Sequence, residues 1–196
     1  MGVTKYIRNY YLKMSLLTPS EKFKHNATQL ADICIDMIEE GHTNGITDMN
    51  PMMASFIVTM MKTSPSEKMV RNFINRTAPI EDGQRNFEYW NRIKDRDLEY
   101  FKELGLKLFD MVKDGGVDKF EVENSTLKQL AETQVSKFKE LLNASYTNDE
   151  GETVDIFDEE TQNDVWENLD GLITLSIRHI HHMRAYNPEL NKYTKE

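Results

Sequence analysis

The sequence predicts an all-α protein, a single-domain bundle of about six or seven helices. Three observations predict it. Apolar residues recur at three- and four-residue spacing along most of the 196 residues. A capping residue followed by proline, a helix-starting signature, occurs at Thr18-Pro19, Asn50-Pro51 and Ser64-Pro65. Five prolines and nine glycines are too few for long irregular regions, and no convincing period-two segment is found.

Tyr6, Ile7, Tyr10, Met14 and Leu17 predict a short first helix. The next opens at Thr18-Pro19-Ser20-Glu21-Lys22. A threonine oxygen accepts from a first-turn amide, proline loses nothing at N1, and Glu21 reaches back to the cap N–H. Phe23, Ala27, Leu30, Cys34 and Met37 carry this helix to about Glu40, with Gly41 as its stop.

Asn50-Pro51 opens "PMMASFIVTMM", apolar nearly all round, which predicts an internal helix or an interface. Phe56, Ile57 and Met60 are expected in the core, with Met53 and Met61 at a rim open to a partner. Ser64-Pro65-Ser66-Glu67-Lys68 repeats the first box almost word for word. It predicts another capped helix carrying Met69, Val70, Phe73 and Ile74.

"IEDGQ" reads as a loop, and one long helix is expected from about Arg85 to Val112. On its apolar face Asp97 stands between Ile93 and Phe101, so it should be partly buried and accept from an arginine such as Arg71 or Arg76. "VDKFEVE" reads as loop, and a helix is expected from about Ser125 through Leu142. Residues 144–158 read as an acidic, mobile loop. A last helix is expected from Glu159 to about Tyr186, and residues 188–196 read as a short tail.

Composition narrows the function. The chain is 39 % hydrophobic and 29 % charged, which is globular composition. A net charge of −9 with a pI near 5.1 argues against binding a phosphate backbone. Cys34 is the only cysteine, so no intramolecular disulfide forms; on an apolar face it reads as a buried hydrophobe. No apolar leader and no membrane-length apolar run are read, so no membrane partner and a cytoplasmic location are expected.

Three constellations bear chemistry. His179 and His182 share a helix face three residues apart, spacing that suits two ligands of one metal, but no local Glu or His completes the set. Glu167-Asn168-Leu169-Asp170 resembles the Glu-x-x-Asp pattern of all-helical nucleotide pyrophosphatases, which set carboxylates on facing helices to hold Mg²⁺. Asp36 and Glu39 form the candidate second pair. The acidic loop fails as a calcium loop: with Gly151 at its sixth position, Tyr146 and Phe157 occupy the carboxylate positions. Serine-triad, P-loop and dinucleotide signatures are absent.

The stretch "FINRTAPIEDGQRNFEYWNRIKDRDLEYFKELGLKLF" carries Trp90, Ile93, Lys94, Arg96, Asp97, Tyr100, Phe101 and Phe109. It resembles a pattern in uncharacterised helical proteins of large DNA viruses, over under a fifth of the chain. The resemblance implies a protein at work inside an infected cell and carries no activity with it.

These readings point to a non-enzymatic, cofactor-free helical protein that binds a protein partner or itself, as a structural component or adaptor. A Mg²⁺-dependent nucleotide phosphohydrolase using Asp36, Glu39, Glu167 and Asp170 is the first alternative. A histidine-based metal binder is the second.

Overall fold

The structure, a computed structural model, describes residues 16–104, 137–183 and 188–194. The expected helices at Tyr6–Leu17 and from Ser125, and the "VDKFEVE" loop, lie wholly or mostly outside them. The described residues are mostly helical, with two small antiparallel hairpins.

Helix α1 (Pro19–Thr43) starts as the first box predicts. Glu21 N donates to Thr18 Oγ1 at 3.3 Å, and Thr18 N donates to Glu21 Oε2 at 2.8 Å. Gly41 does not stop it. The helix runs on to Thr43, and a Cβ at position 41 would collide with the side chain of Leu141, so glycine there serves a close approach, not a cap.

Helix α2 (Pro51–Thr63) starts as expected, with Asn50 Oδ1 accepting from Met52 N at 2.9 Å. Helix α3 (Ser66–Thr77) does not reproduce the first box. Pro65 sits at its N-cap without a side-chain cap bond, and Ser64 instead closes α2, its N–H donating to Met61 O at 3.1 Å. Pro65 is extended rather than helical (ψ 131°), so α3 starts one residue later than the box predicts and Ser64 stands one position too early to cap it.

"IEDGQ" is a hairpin rather than an unstructured loop. Strands β1 (Ile80–Glu81) and β2 (Gln84–Arg85) pair across Asp82 (φ 50°) and Gly83 (φ 78°). Two successive left-handed residues make the tight turn whose twist suits a hairpin, and Asp-Gly is the sequence that tolerates it.

The described part of the expected long helix is two helices, and its end at 105–112 lies outside the described residues. Helix α4 (Glu88–Lys94) ends before Arg96, whose φ of 56° breaks the spiral, and α5 (Leu98–Leu104) begins after Asp97. Asp97 caps α5, its Oδ1 accepting from Tyr100 N at 3.1 Å. It is half-buried and accepts from an arginine, as expected. The arginine is Arg92, 2.7 Å away, not Arg71 or Arg76.

After a helical stretch at 137–141, the acidic segment folds into a second hairpin, β3 (Ser145–Thr147) with β4 (Thr153–Asp155). Asn148 Oδ1 holds its turn, accepting from Glu150 N and Glu152 N. Ile156 and Phe157 then enter the core. Helix α6 (Glu159–His182) is capped by Asp158, which accepts from Thr161 N at 2.8 Å. The expected tail is a packed element: the 3-10 helix Pro188–Tyr193 buries Leu190 and sets the Tyr193 ring 5.6 Å from that of Trp90.

Helices α1 and α6 form the central pair and run antiparallel. Asn26 of α1 lies against Gly171 of α6, where a Cβ would stand 2.5 Å from its Nδ2. At the C-terminal end of α1, Glu40 accepts from the Tyr146 hydroxyl at 2.9 Å, just ahead of the start of α6. Phe23, Leu169, Leu172 and Ile177 fill the seam with no exposure. A buried relay beside it satisfies its own polar groups: Trp90 Nε1 donates to Thr77 Oγ1, which donates to Phe73 O, each at 2.8 Å.

Candidate functional site

Helix α2 lies antiparallel to α1. Lys62 pairs with Asp32 at 3.7 Å, and Lys24 Nζ donates to Ser64 O at 2.8 Å. Its covered side carries Val58, with Ala54 and Met61 partly buried against the core. Its other side leaves two large apolar side chains open beside the exposed Thr59 and Thr63. Met52 is 79 % exposed and Phe56, one turn on, 63 % exposed. Phe56 is therefore not the core residue expected. Met61 sits half-buried at the edge of the core, and the side chains of Met53, Ile57 and Met60 lie outside the described part.

The four acids do not converge. Glu167 is exposed, and Asp170 is tied to Arg96, whose Nη2 lies 2.5 Å from its Oδ2. Arg96 also donates to Trp166 O at 3.3 Å, its guanidinium over the Trp166 ring. Asp170 thus anchors the residue that breaks α4 from α5. Asp36 and Glu39, both exposed, sit toward the other end of α1. Asp36 is ten residues beyond Asn26, the residue level with Gly171, roughly 15 Å by helical rise. Among the described residues no three His, Cys, Asp or Glu side chains are grouped to hold a metal ion.

The histidines diverge as well. His179 is buried and His182 exposed. Burial lowers the His179 pKa and the Arg71 charge lowers it further, while Glu67 acts in the opposite direction. Cys34 packs half-buried against the core, and burial pushes its thiol up to about 12, so it stays protonated and inert at neutral pH. No helix among the described residues is long and apolar enough to cross a membrane.

Sequence reasoning missed one feature, the division of charge between the two ends of the α1–α6 pair. One end gathers residues 36–50 and 137–160, with twelve Asp and Glu against two Lys. The other gathers residues 16–25, 62–71 and 175–183, with six Lys and Arg against two Glu, and four histidines besides. The blocks are scattered in sequence, and only the antiparallel packing brings them together. No family model matches the chain, and neither a curated protein nor a solved structure gives a match.

Proposed function

We propose that the protein is a non-enzymatic, single-domain helical protein that works by binding protein, with α2 as its contact helix. The observation that carries this reading is the adjacent pair Met52 and Phe56, two large apolar side chains left in water one helical turn apart. A helix so apolar is costly to leave uncovered, and a partner's apolar surface removes that cost. The resemblance of the Trp90–Phe109 stretch to helical proteins of large DNA viruses supports reading such contacts as ones made inside an infected cell.

The test is a photoreactive amino acid at position 56, with one at position 150 on the β3–β4 hairpin as control. Illumination should yield a protein adduct of discrete mass from position 56 and none from position 150. Met52→Glu should diminish it. Finding no adduct from position 56, in purified protein and in extract of the native host alike, would overturn the reading.

A further inference from the structure

We propose that the partner is a further copy of this chain, joined head to tail so that the basic end of one molecule meets the acidic end of the next. The inference rests on the reading of α2 as a contact helix and adds what it contacts.

Three observations converge. The first is the charge division among the described residues, six cations against two acids at one end and twelve acids against two cations at the other. Helix-dipole stabilisation accounts for it in α6, whose first turn holds Glu159 and Glu160 and whose last holds histidines. It does not account for α1, which runs the other way. There the dipole would favour acids where Lys22 and Lys24 stand and cations where Glu39 and Glu40 stand.

The second is that each end also carries exposed apolar side chains. Met52 and Phe56 belong to the acidic end, since α2 starts beside the C-terminus of α1. Leu16 (80 % exposed) and Met183 (53 % exposed) belong to the basic end, at the start of α1 and the close of α6. The two ends therefore match in both respects: opposite charge around apolar anchors.

The third is that two identical ends cannot satisfy this pattern. A symmetric contact through the acidic ends would set like charges face to face. An end-to-end contact of unlike ends is heterologous, and unless the rotation closes a ring it propagates into an open chain, whereas an antiparallel side-by-side pair would stop at a dimer. Complementary charge also brings the ends together from a distance, so the assembly should weaken as salt screens it.

The test is sedimentation velocity on the full chain over a concentration series, at low and high salt. The expected result is mass that climbs past the dimer with concentration and falls back toward the monomer in high salt. Lys22→Glu with Arg178→Glu should give a monomer, as should Glu159→Lys with Glu160→Lys. Mixing these two variants should restore association, because each then offers the end the other lacks. Phe56→Ser should weaken assembly about tenfold or more. Circular dichroism confirms that each variant is folded. A monomer throughout, or a dimer of fixed mass whatever its response to salt, would overturn head-to-tail assembly. A monomer that still gives an adduct from position 56 with a different protein would overturn it while leaving α2 a contact helix.

Discussion

Helix α6 begins with acids, ends with histidines and holds its apolar residues in a stripe, whereas α2 is almost free of charge. Yet α6 buries nine residues, among them Leu169, Leu172 and Ile177 with no exposure, and α2 leaves Met52 and Phe56 in solvent. The difference lies in their neighbours. Helix α6 packs against α1, α3, α4 and the 3-10 helix, while the principal neighbour of α2 among the described elements is α1. Burial follows the number of covering elements, and apolarity alone sets only what an uncovered side costs.

The comparison breaks most directly by truncation on each helix. Leu172→Ala opens a cavity in the α1–α6 seam and should cost about 2–5 kcal/mol. Met52→Ala removes a side chain already in water and should stay within about 0.5 kcal/mol. Urea midpoints at equal slope measure both. Comparable losses from the two would mean that α2 is as enclosed as α6.

Much of this was legible in sequence, and the failures share a cause. The caps at Thr18 and Asn50 were readable because each depends on a few adjacent residues. The Asp82-Gly83 hairpin signal was present too, but strands of two residues leave no alternation to detect. The break at Arg96 was disguised because Ile93 and Phe101 remain buried on both sides of it, so the stripe looked continuous. Asp97 was the visible clue: a charge on an apolar face can be a cap for a new helix. Neither the exposure of Phe56 nor the charge division could be read locally, since both depend on which elements end up side by side.

Helix starts sharpen the comparison at smaller scale. Thr18 and Ser64 head nearly identical pentapeptides, but only Thr18 has the reciprocal box in place. Thr18→Ala should cost about 0.5–2 kcal/mol. Ser64→Ala should not cost the α3 start a cap, because Pro65 holds the N-cap position there, and the Lys24 contact, made to the backbone carbonyl, survives the change. Thermal melts of the two variants rank them, and a larger loss at Ser64 would reverse the assignment.

The end of α6 offers a pH test. The folded pKa of His179 lies below its unfolded value of about 6.5. Below that value the unfolded chain binds more protons than the folded one, so stability falls as pH drops. The neutral buried ring therefore contributes fully above about pH 6.5, and the contribution is lost as pH falls through the folded value. In unfolding curves taken across that window, His179→Gln should flatten the slope. Equal slopes in the wild type and His179→Gln would remove His179 as the source.

The smallest expected effect on stability is the most informative. Phe56→Ser exchanges a large aromatic ring for a hydroxymethyl group, a change that costs several kcal/mol in a core. At 63 % exposure most of that ring never left water, so little transfer energy is forfeited. Serine and phenylalanine have similar helix propensities, so the unfolding free energy should stay within about 0.5 kcal/mol of the wild type. The same substitution removes the largest exposed apolar group on α2. Stability held constant while association falls would separate folding from binding at a single residue. A destabilisation near that of Leu172→Ala would instead show that Phe56 is covered within the chain, and α2 would lose its standing as a contact helix.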